Sequence, residues 1–160
     1  MRSLQSGDEL DASAIERAIF RLREHVKTEG LKASDVRETV ARVALGLKGH
    51  FSVEELVSAL PSLHSSTVYR ILPVLLEAGL LQRAPAQSDG QRYERAFERE
   101  HHDHLLCTRC GRIIEFHFET MQQLERDLAQ RFDFAVTNHV LHLYGLCAKC
   151  QHPAKQPVNQ

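Results

Sequence analysis

The four cysteines of the chain fall into two short clusters, and their spacing restricts the possible folds more than any other feature. Cys107 and Cys110 enclose two residues, and Cys147 and Cys150 enclose another two. Four thiolates from two such turns complete a tetrahedron around Zn²⁺ and leave no open coordination position, so the pattern predicts a structural zinc site. A redox dithiol or a disulfide pair is the alternative, although thioredoxin-type chemistry uses a single cluster on a βα turn.

Length and composition set the outer bounds. A chain of 160 residues can bury one ordinary core or two small ones, and a zinc site would stabilise a half that is small by itself. No apolar run reaches the length that spans a membrane, and the polar first residues lack the apolar segment of a signal peptide. Free thiolates also fit a reducing compartment. We therefore expect a soluble cytoplasmic protein with no membrane partner.

The first half of the chain has the pattern of several short helices followed by a hairpin. Its apolar residues recur at helical spacing. The predicted helices cover residues 14–29, about 35–49, 53–60 after a cap at Ser52, and 67–78 after a start at Ser65-Ser66. Two short predicted strands follow at residues 80–83 and 91–94, joined by a turn with the sequence Gln-Ser-Asp-Gly. This order is typical of a winged helix-turn-helix, in which the two strands form the wing.

The helix that begins at Ser65 or Ser66 is the one expected to enter the major groove of DNA. Near its start it carries Thr67, Tyr69 and Arg70. Tyr69 can pack on a thymine methyl group, and Arg70 can reach a guanine or a phosphate. In the alternative interpretation Tyr69 covers an edge of the core, but other apolar residues of this helix already supply a separate buried face. A mild excess of basic residues from residue 14 to residue 99 permits DNA binding.

The second half alternates strand patterns with one amphipathic helix. The predicted strands cover residues 102–106, 112–117 and 135–144, and the helix covers about residues 119–132. The cysteine clusters then lie at two strand ends. The last strand is rich in apolar residues, which suits burial or pairing in a dimer. We expect an α+β unit here.

The segment His101-His102-Asp103-His104 is the second informative feature. Because side chains alternate along an extended strand, His102 and His104 should point to one face, and His101 and Asp103 to the other. Each pair needs further donors to complete a metal coordination shell. Candidate donors elsewhere in the chain are His50, Glu94, Glu115, His117, Glu119, His139 and His142. A solvated polar strand is the alternative interpretation.

Five sequence motifs between about Leu31 and Cys150 carry a family resemblance. They are the run from Gly30 to Arg37, Ser-Thr-Val-Tyr-Arg at 66–70, the run from His101 to Gly111, Ile-Glu-Phe at 114–116, and the run from His139 to Cys147. Together they resemble the ferric uptake regulator family of metal-sensing repressors. The resemblance implies metal-dependent repression by a homodimer, or a tetramer, that binds near-palindromic double-stranded operator DNA.

The same resemblance implies a fold, and the residue patterns along the chain suggest its boundaries. The expected fold class is α+β, with an N-terminal winged helix-turn-helix domain followed by a small α+β dimerisation domain that contains the four-cysteine zinc site. The expected segments are a flexible N-terminus at residues 1–13, the DNA-binding domain at 14–97, the dimerisation and metal-binding domain at 98–151, and a flexible tail at 152–160.

The resemblance also assigns residues to sites. The four cysteines match the structural Zn²⁺ site. The residues that match the regulatory metal site are His50, Glu94, His102, His104 and Glu115. His50 and Glu94 belong to the DNA-binding half, so an ion bound from both halves would favour one interdomain arrangement. The expected DNA contacts are Lys32, Arg37, Ser66, Thr67, Tyr69 and Arg70.

A further metal site in the family lies beside the dimerisation sheet. The residues that match it are His101, Asp103 and His139. Its fourth ligand in the family is a carboxylate on the following helix, where this sequence has Gln122. Glu119 or Glu125, one helical turn to either side, is a candidate replacement.

The types of donor atom indicate which metal ions the regulatory site would prefer. Three imidazoles and two carboxylates suit Fe²⁺, Mn²⁺ or Co²⁺, and Zn²⁺ also binds such a shell. Zinc-sensing relatives commonly place a thiolate where this chain has Glu94, and peroxide-sensing relatives favour aspartates in place of Glu94 and Glu115. Both differences favour Fe²⁺ sensing or its Mn²⁺-sensing variant over zinc or peroxide sensing.

Two other classes of function stay open at this point. His102, His104 and Glu94 could supply the ligands and general base of a zinc hydrolase, but no substrate motif accompanies them. A DNA-binding protein without metal control is the other alternative. The expected function is a metal-responsive repressor, with no enzymatic activity and no small-molecule substrate.

Overall fold

The computed structural model describes residues 10–87, 90–137 and 139–151. The chain divides into two compact units, of which the N-terminal unit extends to Glu100 and the C-terminal unit begins at His101. Ser88 and Asp89 of the predicted wing turn, most of the predicted flexible N-terminus and the predicted tail lie outside the described residues, as does Asn138. None of the helices in the described ranges is long and apolar enough to cross a membrane.

Four helices build the N-terminal unit. They are α1 (Ala12–Thr28), α2 (Asp35–Gly46), α3 (Val53–Ser58) and α4 (Ser65–Glu77). The Asp11 and Ser34 side chains accept backbone N–H groups at the starts of α1 and α2. Ser52 and Glu55 form a reciprocal capping box at the start of α3. The four predicted helices are confirmed, with ends that differ by a few residues.

The apolar faces of these helices meet in one core. Leu22 of α1, Leu56 of α3 and Leu75 of α4 are almost completely buried, as are Val40 of α2 and Val68 of α4. Burying a leucine side chain contributes about 1.5 to 3 kcal/mol relative to its exposure to water. The core therefore holds α4 rigidly and leaves its other face to solvent.

A three-stranded antiparallel sheet completes this unit. Its strands are β1 (Phe51–Ser52), β2 (Leu81–Gln87) and β3 (Gly90–Arg95), in the order β1-β3-β2. The pairing of β2 with β3 is the predicted wing, with longer strands than expected. The short β1 was not predicted. It pairs Phe51 with Tyr93, so that the preceding residue, His50, lies beside the position after Tyr93, which is Glu94.

The C-terminal unit contains a second three-stranded sheet and two helices. The elements are β4 (Asp103–Cys107), β5 (Ile113–Phe116), α5 (Glu119–Phe132), β6 (His142–Gly145) and α6 (Ala148–Gln151). Strand β4 lies in the middle, antiparallel to β5 and parallel to β6. The predicted helix is confirmed with its expected bounds.

The prediction of one long strand over residues 135–144 was wrong. Only His142–Gly145 is a strand, and the described residues before it are irregular. The reason is the partner strand: β4 begins at Asp103, and His104 already pairs with His142. Apolar composition alone therefore overestimated the strand length.

Candidate metal centres and nucleic-acid interface

The four cysteines converge at one end of the C-terminal sheet. Cys107 ends β4, and its partner in the parallel ladder is Gly145, two residues before Cys147. The four Sγ atoms lie within 4.8 Å of one another, and those of Cys110 and Cys147 are 3.8 Å apart. Tetrahedral Zn²⁺ with Zn–S bonds of about 2.3 Å has sulfur–sulfur edges of about 3.8 Å. All four cysteines are free thiols, so the disulfide alternative is not supported.

Backbone hydrogen bonds hold the two cysteine turns against each other. The Gly111 N–H donates to the Cys107 carbonyl at 2.9 Å, and Gly111 adopts φ of 71°, which favours glycine. The Thr108 N–H donates to the Gly145 carbonyl at 2.8 Å and thereby links the turn after β4 to the end of β6. The cluster is consequently a product of strand pairing as well as of local spacing.

The surroundings of the cluster shift the pKa values of two of its thiols in opposite directions. Hydrogen bonds from the backbone N–H groups of Cys147 and Cys110 lower the pKa of Cys107 to about 6. Burial raises the pKa of Cys150 to about 12, and the neighbouring sulfur atoms add to that shift. One thiolate thus forms readily, whereas ionising all four requires a compensating cation.

The predicted further site is assembled within the C-terminal unit. His101, Asp103 and His139 offer donor atoms within 4.8 Å of one another. His139 Nε2 lies 3.4 Å from Asp103 Oδ1, and its Nδ1 lies 3.0 Å from Glu125 Oε2. Of the two glutamates considered as replacements for the missing carboxylate at Gln122, Glu125 is thus the one that contacts the histidine.

His104 and Glu115 form a second pair in the same unit. They are direct partners across β4 and β5, both are buried, and they offer donor atoms within 4.8 Å of each other. His101 and Asp103 belong to the other group of donors, as the predicted alternation of faces requires. His102 immediately precedes β4, and its ring centroid lies 5.0 Å from that of His104.

His50 and Glu94 form the corresponding pair in the N-terminal unit. His50 Nε2 lies 3.4 Å from Glu94 Oε2, and the Glu94 side chain is completely buried. Gln82 donates a hydrogen bond to Oε1 of this carboxylate at 2.9 Å, and Arg99 forms an ion pair with its Oε2. Sequence reasoning missed both supporting residues. The pairing of Gln82 with Glu94 follows from the hairpin register, whereas no sequence signal indicates Arg99.

The candidate DNA-binding face is the exposed side of α4. Ser66 and Arg70 are exposed and Thr67 is partly exposed, while Val68 and Leu75 point into the core. Tyr69 is 50% exposed, and its hydroxyl donates to Glu54 at 2.9 Å, which raises the pKa of the phenol. Tyr69 therefore does not serve only to cover the core.

Two basic residues near the start of α2 were also predicted to contact DNA. Lys32 is exposed, and its carbonyl oxygen accepts a hydrogen bond from Arg37 Nη1 at 2.9 Å. This contact holds the Arg37 side chain against the loop that precedes α2.

Comparison with known proteins assigns the chain to a family. The sequence model of the ferric uptake regulator family matches residues 28–144. The chain belongs to this family. It is accordingly a metal-responsive, DNA-binding transcription regulator with a winged-helix domain and a small sheet domain that carries the cysteine cluster. The family resemblance inferred from the motifs is confirmed.

Individual relatives show how far the likeness extends. The ferric uptake regulation protein of Legionella pneumophila is 35% identical over 133 residues, covering 80% of this chain and 97% of the relative. The peroxide-responsive repressor PerR of Staphylococcus saprophyticus is 27% identical over 130 residues, covering 79% of this chain and 86% of the relative. The family therefore includes relatives that respond to different signals.

A solved relative extends the likeness to three dimensions. The ferric uptake regulator Fur of Helicobacter pylori, whose structure reveals three functional metal-binding sites, has a TM-score of 0.68 and 30% identity. The match covers 94% of this chain and 97% of the relative.

Proposed function

We propose that this protein is an Fe²⁺-responsive transcriptional repressor that binds palindromic operator DNA as a homodimer when its regulatory site is loaded. The observation that carries the proposal is the repeated pairing of an imidazole with a buried carboxylate. His50 and Glu94 form such a pair in the N-terminal unit, and His104 and Glu115 form another in the C-terminal unit. Buried donors of this kind are expected where a cation is held.

The proposed regulatory site combines these pairs with His102. Three imidazoles and two carboxylates suit Fe²⁺, with Mn²⁺ or Zn²⁺ as alternatives. A bound divalent cation would supply the positive charge that lets the two carboxylates share one site. Because His50 and Glu94 belong to the DNA-binding unit, binding of the ion would bias the position of that unit. The size of the bias is set by the difference in ion affinity between the alternative arrangements.

The cysteine cluster is proposed to hold Zn²⁺ for stability and not for sensing. Its sulfur spacing fits a closed tetrahedral site, which leaves no position for another ligand. A structural zinc ion contributes on the order of 10 kcal/mol to folding in small domains. The cluster also differs in ligand type from the imidazole and carboxylate pairs, since all of its donors are thiolates.

The last two proposals concern the partners of the protein. The proposed contacts with operator DNA come from α4, through Ser66, Thr67, Tyr69 and Arg70, and from Lys32 and Arg37. The proposed dimer uses the exposed apolar side chains of the C-terminal unit, which include Phe118, Leu124, Leu128, Phe132, Val140, Leu143 and Tyr144. Apolar surface of this extent usually marks an interface. A tetramer would place a second interface on the same dimer.

The central test measures operator binding as a function of metal. Full-length protein with its cysteine zinc intact is titrated with Fe²⁺ under anaerobic conditions, and separately with Mn²⁺ and Zn²⁺, while operator affinity is followed. We expect Fe²⁺ to increase the affinity and His50→Ala to abolish that increase, with zinc content and oligomeric state unchanged. His117→Ala is the matched control and should respond like the parent protein.

Each alternative has its own signature in this experiment. A response of His50→Ala equal to that of the parent protein would overturn the proposed regulatory site. Operator affinity that is unchanged by chelation would favour metal-independent DNA binding. Release of the operator by hydrogen peroxide from the Fe²⁺-loaded protein, but not from the Mn²⁺-loaded protein, would favour peroxide sensing, as the likeness to PerR suggests.

A further inference from the structure

His139 lies between two carboxylates, one on each side of its ring. Its Nδ1 is 3.0 Å from Glu125 Oε2, and its Nε2 is 3.4 Å from Asp103 Oδ1. Asp103 is 3% exposed, and within the described residues its Oδ1 and the His139 Nε2 are buried atoms without a hydrogen-bond partner. Two buried polar atoms that face each other without a hydrogen bond require an explanation, because leaving them unsatisfied costs free energy.

The tautomer of the ring supplies that explanation. A neutral imidazole has one N–H donor and one lone-pair acceptor. Nδ1 is within hydrogen-bonding distance of a carboxylate, which can only accept, so Nδ1 carries the proton. Nε2 then presents its lone pair to Asp103, another acceptor. An acceptor pair of this kind needs positive charge between its members, which either a second ring proton or a metal ion supplies. His101 offers a third donor within 4.8 Å, and a proton would have no use for it, so the metal ion is favoured.

We propose that Glu125 is the positioning residue of the metal site formed by His101, Asp103 and His139. Its carboxylate accepts a hydrogen bond from the Nδ1–H of His139. This bond orients the ring so that Nε2 faces a divalent transition-metal ion, which Glu125 itself does not bind. The proposal rests on the assignment of these three residues to a metal site. It adds a residue to that site, at a position one helical turn from Gln122, which stands where the family has a carboxylate ligand.

The geometry separates this role from that of a direct ligand. The two ring nitrogens of an imidazole point to different sides of the ring, so a carboxylate bonded to Nδ1 does not reach an ion at Nε2. A carboxylate on the second nitrogen fixes the ring orientation and raises the basicity of the nitrogen that binds the metal. Glu125 is therefore expected to change the affinity of the site and not its number of ligands.

The first experiment observes the tautomer of His139 directly. Full-length protein with zinc in its cysteine cluster and ¹⁵N-labelled histidines is studied by long-range ¹H–¹⁵N spectra, before and after addition of further Zn²⁺. His139→Gln assigns the signals. We expect a proton on Nδ1 in both states and a shift of Nε2 when Zn²⁺ is added. A metal on Nδ1, or a doubly protonated ring that ignores added Zn²⁺, would overturn the proposal.

The second experiment compares substitutions by the Zn²⁺ affinity of this site, read from the same His139 signals. Glu125→Ala should weaken binding about 10-fold to 100-fold, the usual cost of losing such a partner. Glu125→Gln should lose much less, because its amide oxygen still accepts the Nδ1–H. Glu119→Gln, which removes the same charge from an exposed position of α5, should bind like the parent protein.

The outcomes also separate this inference from the proposed function. An equal loss in Glu125→Gln and Glu125→Ala would identify a direct ligand and contradict the positioning role, as would parent-like affinity in Glu125→Ala. If Glu125→Ala does not fold, the tautomer of the parent protein and the affinity of Glu125→Gln still decide. None of these measurements uses DNA, so an operator affinity that ignores metal would defeat the proposed function while leaving this result intact.

Discussion

The N-terminal unit buries a continuous apolar cluster contributed by all four of its helices, whereas few apolar side chains are buried in the described part of the C-terminal unit. Leu106 and Phe116 are examples from its sheet, and α5 has no buried residue among those described. Burial of apolar area is the main favourable term in folding. The N-terminal unit can thus be stable through its own core, while the proposed zinc ion and dimer partner would supply stability that the C-terminal unit lacks by itself.

The difference in packing also suits the two units to different tasks, DNA binding and the response to a metal ion. A rigid helical core is suited to presenting α4 to DNA without distortion, since close-packed interiors resist deformation. A thinly packed sheet unit with clusters of metal donors is suited to responding to an ion, because each ion that binds there would contribute a large share of its stability. Three predictions test this contrast.

The largest effect is expected from Cys107→Ser. Loss of one thiolate from the closed cluster should remove most of the zinc contribution, on the order of 10 kcal/mol, and unfold the C-terminal unit or dissociate it to monomers. Hydrogen exchange read by mass spectrometry should show lost protection after residue 101 and retained protection in α1 to α4. A stable, dimeric and zinc-free Cys107→Ser protein would contradict the dependence on metal.

Shortening a core side chain of the N-terminal unit should destabilise that unit and not the C-terminal unit. Leu56 is completely buried, so Leu56→Ala should destabilise the N-terminal unit by about 2 to 5 kcal/mol. Leu128→Ala is the matched control on α5, where the side chain is 45% exposed. It should leave the unfolding of the N-terminal unit unchanged and weaken self-association, measured by sedimentation. Equal effects of the two substitutions on the N-terminal unit would remove the contrast in packing.

The smallest effect concerns DNA and should spare the stability of both units. Arg70→Ala should weaken operator binding by about 1 to 3 kcal/mol if the side chain contacts a base. Arg126→Ala removes the same charge from exposed α5 and should change the affinity little. Footprinting at fixed salt measures both. Parent-like affinity in Arg70→Ala would place the DNA-binding face elsewhere than on α4.

The sequence was most informative where the signal is local. The helices of the first half follow from apolar periodicity and caps such as Ser34 and Ser52, and the structure confirms them. The strand over residues 135–144 failed because its length depends on where β4 begins, which is a property of the partner and not of the strand. The same distinction applies to the unpredicted β1, whose two residues form a strand only because β3 lies beside them.

For the metal centres, residue type and spacing were enough to select the ligand candidates. Two residues between cysteines, and alternation from His101 to His104, are short-range patterns with a direct stereochemical meaning. Which further donors lie beside these residues depends on pairing between segments that are far apart in the chain. The sequence offered Glu119 and Glu125 equally as neighbours of Gln122, and only the packing of α5 brings Glu125 to His139.

The sequence by itself thus determined the family, the two-part organisation and the donors available for each ion, because these depend on residue identity and on spacings within a turn or strand. The tertiary structure decided how the donors are arranged and which residues contact them. It placed Arg99 and Gln82 on the buried Glu94 and set Glu125 against one nitrogen of His139, with Asp103 facing the other. Such choices depend on distances of a few ångströms between residues far apart in the chain, which no local pattern encodes.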